Sequence, residues 1–351
     1  MQTLELPPPL VSVIIPMYNA EGYITQALQS VLQETSIPLE VIVVNDRSSD
    51  RSLERVQAIQ DARLRVVNGA KAGISTTMNL GLAAARGAII MRCDADDLFT
   101  PGRIASQANW LQQHPDYGAV CGSYDIIAPN GSFVLQHDTG STPEEVTDEL
   151  QQGITRTHLC TFAIRTDTLR LLGGFRPYFE TGEDIDLQLR LTDICRVFYQ
   201  IESRYCYRLH NNSITHVIPS ERRVFFDRIA RTFQQQRQHQ GQDDLQRGIF
   251  PPIPQGSESR SYSSNEQIQG FLQGRAWQAL SQGQRRNALK LGVRSLLANP
   301  GHLPTWSNFL VLLAKLPTQK APSPPAPPSP PMAEAPQPSA KPVTSEVDRD
   351  G

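Results

Sequence analysis

The chain has 351 residues, a formal net charge of −2 and five scattered cysteines. Its length suits one large domain with a smaller appendage, and its charge gives no electrostatic reason to expect a nucleic-acid partner. The cysteines are odd in number and never spaced as Cys-x-x-Cys, which argues against a disulfide framework and a zinc site and fits a reducing compartment.

Apolar segments and helical patterns alternate over the first 120 residues. Four apolar segments predict buried strands, at 11–15, 40–44, 63–67 and 88–92. Apolar side chains at helical spacing predict a helix after each of the first three strands, over 24–32, 51–60 and 75–85. This alternation indicates an α/β domain built on a Rossmann-like, mostly parallel, doubly wound sheet.

The pattern is less regular in the middle of the chain and becomes helical towards the end. Further strands are predicted at 157–164, 197–200 and 205–209. A helix carries the acidic run 183–186, and four more helices begin near 220, 266, 284 and 304. Beyond 316 the chain is rich in Pro, Ala and Ser and has no aromatic residue, so we expect it not to fold.

We therefore predict an N-terminal leader (1–9), an α/β domain (10–218), an α-helical C-terminal extension (219–316) and a disordered Pro-rich tail (317–351). No secretory signal is visible, and no apolar run approaches the roughly 20 residues that cross a membrane. We expect a cytoplasmic protein. The arginine-rich helix after residue 220 leaves open a peripheral contact with acidic lipid at the inner face of the plasma membrane.

Three of the predicted strands end in polar side chains. The residues at these ends are Pro16, Tyr18 and Asn19 after the first strand, Asn45 and Asp46 after the second, and Asp94, Asp96 and Asp97 after the fourth. Because the carboxyl ends of parallel strands meet at one edge of a sheet, we expect these side chains to lie side by side.

Such a group suits a nucleoside diphosphate. The Tyr18 ring can stack on a base, and the Asp46 carboxylate can accept a hydrogen bond from it. Asp94 and Asp96 can hold a hard divalent cation whose shell a phosphorylated ligand completes. No Gly-x-Gly-x-x-Gly follows the first strand and no Walker-type loop occurs, which disfavours dinucleotide oxidoreductases and P-loop enzymes.

The chain resembles a family 2 glycosyltransferase, a nucleotide-sugar enzyme of the GT-A fold. The resemblance covers roughly residues 10–215, in the segments VSVIIPMYNAEGYITQALQSVLQET, VIVVNDRSSD, GISTTMNLGLAAARGAIIMRCDADD, GGFRPYFETGEDIDLQLRL and YRLHNNSIT. It implies transfer of a sugar, with inversion, from a UDP-, GDP- or dTDP-sugar to a hydroxyl of a glycan or a lipid-linked glycan. It also implies Mg²⁺ or Mn²⁺ as the metal.

The resemblance further implies site roles. Tyr18 and Asp46 contact the base, and Asp94 and Asp96 form the Asp-x-Asp element. We also expect Pro16, Asn19 and Asn79 at the nucleotide sugar, with Asn79 shaping the helix beside it. Asp96 is the direct metal ligand, with Asp94 nearer the ribose and as a second candidate ligand. His210 either reaches the metal or the diphosphate, or simply packs at a loop. Apart from the resemblance, Lys71 or Arg92 could neutralise phosphate, with solvated surface as the favoured interpretation of Lys71. Arg47 stands where glycine is frequent, which leaves the path of that loop open.

Inverting transfer needs a carboxylate that takes the proton of the acceptor hydroxyl. The family's Glu-Asp element matches Glu183 and Asp184, and the resemblance assigns the base to Asp184. The position is physically sensible because acids at the start of a helix lie near its positive end. The other interpretation is that both are ordinary first-turn acids.

Other functions stay open at this point. A nucleotidyltransferase would need a Gly-rich basic loop after the first strand, which 16–22 lacks. A glycosidase could use two carboxylates but would not need the base-binding pair. A non-catalytic relative could bind a sugar nucleotide or act as a scaffold through its helical end and Pro-rich tail. The presence of Asp94, Asp96 and Asp184 argues against that last possibility.

Overall fold

The computed structural model describes residues 10–137, 139–211, 220–255 and 263–315. The predicted leader and the Pro-rich tail lie outside the described residues. The strands are β1 Val11–Met17, β2 Leu39–Asn45, β3 Leu64–Asn68, β4 Ile89–Arg92, β5 Leu98–Phe99, β6 Tyr117–Ile127, β7 Phe133–Gln136, β8 Glu144–Glu145, β9 Ala163–Arg165 and β10 Arg196–Arg208.

Helices alternate with the strands and make up the C-terminal part of the described chain. They are α1 Ile24–Leu32, α2 Ser52–Gln57, α3 Ile74–Ala84, α4 Arg103–Gln113, α5 Thr147–Gln151, α6 Thr166–Leu171, α7 Glu183–Leu191, α8 Ser220–Gln240, α9 Ser264–Ser281, α10 Arg285–Ala298 and α11 Leu303–Ala314.

The strands form one sheet in the order β3-β2-β1-β4-β9-β6-β10-β5, with β7 added on β6 and β8 on β10. The four strands from β3 to β4 are mutually parallel. β9 then inserts antiparallel between β4 and β6, and β10 runs parallel to β6. The predicted α/β class is therefore confirmed, with parallel pairing concentrated in the N-terminal half and a mixed arrangement beyond it.

Burial on both faces explains the sequence of the central strands. All seven residues of β1 and of β2 are buried, so these strands appear as continuous apolar runs rather than alternating ones. α1 buries Ile24, Ala27, Leu28 and Val31, the stripe that the helical spacing predicts. The parallel half of the sheet thus holds the ends of β1, β2 and β4 rigidly at one edge.

Two predictions of secondary structure are corrected. The segment 157–164 is not one strand, because Leu159–Thr161 forms a 3₁₀ turn and only Ala163–Arg165 pairs in the sheet. The two strands predicted at 197–200 and 205–209 are one strand, β10, whose register with β6 shifts between Gln200 and Tyr205. The register shift within β10 therefore explains why the sequence pattern looked like two separate strands.

The C-terminal helices pack directly on the α/β part. Phe226 and Phe233 of α8 cluster with Phe179 and Leu189 of the region around α7. The fully buried Asp243 accepts hydrogen bonds from Arg176 (2.7 Å) and Arg237 (2.9 Å) beneath this contact. Arg222, Arg231 and Arg237 of α8 thus pair with acids of the protein, whereas Arg223 and Arg228 are exposed. Within the residues described here no helix is long and apolar enough to span a bilayer.

The next helices pack on a different hydrophobic cluster from α8. Ile268 and Leu272 of α9 belong to the main hydrophobic cluster under the sheet. The Arg294 guanidinium of α10 donates to the Val134 carbonyl of β7 (2.6 Å). α9 and α10 pack against each other as a helical hairpin.

Candidate functional site

The end of β1 presents an aromatic ring to solvent. Pro16 lies inside the buried strand and pairs with Val44, so it does not follow the strand as predicted. Tyr18 follows the strand with 50% of its surface exposed. The Lys71 ammonium lies 5.6 Å from the centroid of the Tyr18 ring. An exposed ring next to a cation can accommodate a base that carries phosphates.

Asn19 ties the loops after β1 and β2 together. Its backbone N–H donates to Ser48 Oγ (3.1 Å), and its Oδ1 accepts from the backbone N–H of Ser49 (2.8 Å). Arg47, in the second loop, has a left-handed backbone with φ 60°. This conformation explains why glycine is frequent at that position in the family that the sequence resembles. Asn19 therefore holds the two loops together through backbone contacts.

Asp46 organises the segment that leads into α3. Its Oδ1 accepts backbone N–H groups from Lys71 (2.7 Å) and Ala72 (3.3 Å), and its Oδ2 accepts that of Gly73 (3.3 Å). A side chain at Gly69 would place its Cβ 2.7 Å from Asp46 Oδ1, so only glycine fits there. Oδ1 thus accepts two N–H groups, whereas Oδ2 accepts one and still has lone-pair capacity for one further donor.

Arg92 joins the two acidic elements that lie far apart in the sequence. Its guanidinium binds Asp94 through Nε–Oδ1 (2.6 Å) and donates to Glu183 Oε1 (2.9 Å). The Arg92 side chain is only 11% exposed, and the Cys160 thiol lies 3.2 Å from the other oxygen of Asp94. Arg92 is thus occupied by two carboxylates rather than free for phosphate, and it fixes the start of α7 next to the end of β4.

Asp96 and His210 form a second pair in this region. The distance between Asp96 Oδ2 and His210 Nε2 is 2.7 Å, and the His210 ring lies against Tyr23 with 4.8 Å between centroids. Over the residues that the structure describes, no group of three or more His, Cys, Asp or Glu is arranged to hold a metal. Mg²⁺ commonly takes only one or two protein carboxylates and completes its shell with phosphate and water. Asp96 supplies one such carboxylate, with the His210 imidazole beside it as a candidate second ligand.

Asp97 is a buried acid with a structural role. It accepts hydrogen bonds from the Tyr205 hydroxyl and from the backbone N–H of Arg208 (2.7 Å). Burial, with the nearby charges of Asp96 and Asp94, raises its pKa well above the usual range. Asp97 therefore connects β10 to the loop that carries Asp94 and Asp96.

Glu183 and Asp184 begin α7 directly after Gly182, whose φ is 73°. Burial raises the pKa of Glu183 to about 7, although Arg92 opposes that shift. Burial also raises the pKa of Asp184, with Arg92 lowering it and the charge of Asp94 adding to the increase. Because Asp94 and Asp184 interact electrostatically, the base candidate and the Asp-x-Asp element share one acidic region.

Asn79 acts as a clamp on the segment before α7. Its Nδ2 donates to the Phe175 carbonyl (2.7 Å), and its Oδ1 accepts the Phe175 N–H (2.8 Å). Ser75, one turn earlier on α3, donates to the Phe179 carbonyl (3.1 Å). Both polar ends of the Asn79 amide are thus committed to backbone. These contacts give Asn79 a positioning role, and its predicted place beside the nucleotide stays a prediction.

His158 is a site residue that the sequence analysis did not single out. Its ring stacks on Tyr207 with 5.3 Å between centroids and meets Tyr124 edge-on at 4.7 Å. Burial lowers its pKa, and the charges of Asp94 and Arg92 also act on it, so it lies next to the acidic region. The interpretation of 157–164 as a regular strand concealed the 3₁₀ turn that follows His158.

A comparison with known families identifies the N-terminal half. The sequence profile described as glycosyl transferase family 2 matches residues 12–179. This segment of the chain belongs to glycosyl transferase family 2. The match contains the ends of β1, β2 and β4, with Tyr18, Asp46, Asp94 and Asp96, and it stops four residues before Glu183.

Individual relatives agree with this identification. The uncharacterized glycosyltransferase EpsJ of Bacillus subtilis is 35% identical over 148 residues, which are 41% of this chain and 43% of EpsJ. The chondroitin synthase of Pasteurella multocida is 27% identical over 209 residues, which are 58% of this chain and 21% of the synthase. The chain therefore spans less than half the length of either relative.

A solved structure shares the fold over most of the chain. Residues 1–349 of S. aureus TarS, crystallised in complex with UDP-GlcNAc, superpose with a TM-score of 0.53 and 17% identity, over 87% of each chain. At this identity the likeness bears on the fold alone. The predicted GT-A fold with a helical C-terminal part is confirmed.

Proposed function

We propose that this chain is a metal-dependent, inverting glycosyltransferase. The observation that carries the proposal is the Arg92 bridge, which brings Asp94 of the Asp-x-Asp element and Glu183 of the Glu-Asp element to one place. The family identity of residues 12–179 supplies the reaction class. A nucleoside-diphosphate sugar is the donor, and a hydroxyl of a glycan or lipid-linked glycan is the acceptor.

The donor nucleotide lies along the ends of β1 and β2 in this proposal. Tyr18 offers its exposed ring to the base, and Lys71 beside it meets negative charge. Asp46 accepts a hydrogen bond from the base while it holds the backbone of 71–73. We favour a uridine nucleotide because the fold neighbour TarS was crystallised with UDP-GlcNAc; GDP- and dTDP-sugars are the alternatives.

Mg²⁺ or Mn²⁺, when bound, would neutralise charge on the leaving diphosphate as a Lewis acid. Asp96 and His210 are the residues that would hold it. The Asp94 carboxylate is already balanced by Arg92, so Asp94 is better suited to orient the donor ribose than to coordinate the metal. The side chain of Asp96 is 28% exposed, which leaves it accessible to a ligand from the cleft.

Asp184 acts as the base in this proposal. The acceptor oxygen attacks the anomeric carbon from the face opposite the diphosphate while its proton passes to the Asp184 carboxylate. The new bond between oxygen and carbon forms as the bond to the diphosphate oxygen breaks, so the configuration inverts. Burial raises the pKa of Asp184 towards neutral pH. A general base is most effective when its pKa lies near the pH of the reaction.

Two substitutions test these roles separately. The variant Asp184→Asn should still bind the donor but should lose sugar transfer. The variant Asp96→Ala should lose metal-dependent binding of the nucleotide. A thermal-shift screen of UDP-, GDP- and dTDP-sugars with and without Mn²⁺ identifies the donor for both assays. Near wild-type turnover of Asp184→Asn would refute the base assignment. A wild-type chain that binds donors but never hydrolyses or transfers them would be a non-catalytic relative.

A further inference from the structure

The two last helices of the structure expose large apolar side chains in stripes. On α11 the stripe is Leu303, Trp306, Leu310 and Leu313, which are 76%, 45%, 62% and 37% exposed. Their spacing of three, four and three residues puts them on one face of the helix. Single exposed apolar residues are ordinary, but a row of four that includes a tryptophan indicates a contact surface.

α10 carries a second stripe, and cations lie within it. Val293 and Leu297 are 41% and 71% exposed. Arg286 and Lys290, which are also exposed, precede them at helical spacing, so all four side chains share one face of α10. Such a helix face combines apolar side chains with cations that have access to solvent.

The charge of this part of the chain is one-sided. Between 267 and 315 the sequence contains six lysines and arginines and no aspartate or glutamate, in a chain whose formal net charge is −2. The six cations are Arg275, Arg285, Arg286, Lys290, Arg294 and Lys315. Arg294 is used to hold β7, whereas Arg285, Arg286 and Lys290 are exposed. Exposed positive charge is therefore concentrated on α10, which also carries one of the two apolar stripes.

The apolar stripes and the excess of cations together indicate which kind of partner would bind here. In a two-fold contact between copies of the chain the same patch meets itself, so cations would face cations with no acid between 267 and 315 to balance them. An anionic bilayer can bind both the apolar side chains and the cations, because Trp and Leu enter the interfacial region while Lys and Arg approach the headgroups. We propose that the α10 and α11 stripes form a peripheral docking surface for an anionic membrane.

The proposal is tested by co-sedimentation of the full chain with vesicles. Phosphatidylcholine vesicles and vesicles that also contain phosphatidylglycerol are compared at low and high salt. We expect binding only to the anionic vesicles, weakened by salt. Arg286→Gln with Lys290→Gln should lower the partition coefficient about fivefold per removed cation. Leu303→Ser with Leu310→Ser should lower it further at high salt, where the apolar contribution dominates.

Arg223→Gln with Arg228→Gln is the matched control, because these two arginines are exposed on α8. The control should bind anionic vesicles as the wild type does. The proposal is overturned if the wild type ignores both kinds of vesicle, if the α10 and α11 variants bind unchanged, or if the α8 control alone loses binding. It is also overturned if sedimentation equilibrium without lipid shows a dimer that Leu310→Ser dissociates, since the face would then be an interface between copies.

Discussion

Removal of the Arg92 guanidinium should expose how strongly the two acidic elements depend on it. In Arg92→Gln, Asp94 and Glu183 lose their shared cation while Glu183 stays buried, with a side chain that is 8% exposed. Breaking a buried ion pair by removing one partner typically costs about 3–5 kcal/mol. Because Asp94 is 24% exposed and can be solvated, we expect the low end, about 3 kcal/mol of unfolding free energy.

The cost should depend on pH, with a sign that follows from Glu183. Its pKa in the folded protein, about 7, lies above the ordinary 4.5, so folding binds a proton there and stability falls as pH rises through this window. Arg92 opposes this upward shift, so the loss of Arg92 raises the pKa of Glu183 in the folded protein further. The pH range over which stability falls then extends to higher pH. Arg92→Gln should therefore be more destabilising at about pH 8 than at about pH 6.

Equilibrium unfolding in urea at both pH values measures this prediction. Arg51→Gln is the control, because Arg51 forms a 3.6 Å ion pair with Glu21 on the surface, where 66% and 43% of the two side chains are exposed. Such pairs contribute no more than about 1 kcal/mol. A second variant, Glu183→Gln, should remove most of the pH dependence. If Arg92→Gln costs no more than Arg51→Gln at either pH, the buried bridge does not support the site as we describe it.

Three further substitutions test the surrounding positions. Asn79→Ala should cost about 1–3 kcal/mol in urea unfolding, because the Phe175 backbone loses both of its partners; an unchanged midpoint would refute the clamp. Tyr18→Ala should raise KM for the donor at unchanged stability, since the ring is half exposed, and an unchanged KM would remove Tyr18 from the base site. Gly69→Ala should weaken donor binding in calorimetric titration, because its Cβ displaces the Asp46 carboxylate; wild-type affinity would show that this carboxylate is not needed.

Local patterns were sufficient for the framework of the fold. The buried runs of β1 and β2 and the apolar stripe of α1 are properties of adjacent residues, so the sequence shows them directly. The ends of parallel strands must then meet at one edge, which correctly brought the residues after β1, β2 and β4 together.

Contacts between distant residues could not be predicted in the same way. Arg92 and Glu183 are 91 positions apart, and a cation after an apolar run offers no signal of which acid it will meet. Asn79 reaches Phe175 across 96 positions, so no neighbouring residue signals the backbone that it holds. His158 precedes a turn that interrupts an otherwise strand-like pattern. In each case tertiary packing decides the role.

In the proposed mechanism, the Asp-x-Asp loop and the start of α7 enclose one donor site. A crystal structure of Asp184→Asn with Mn²⁺ and the donor selected by thermal shift measures this most directly. We predict the metal on Asp96, the base of the nucleotide on Tyr18, and the anomeric carbon open to attack from the side of residue 184. A donor bound elsewhere, or with its anomeric carbon turned away from residue 184, would contradict the claim.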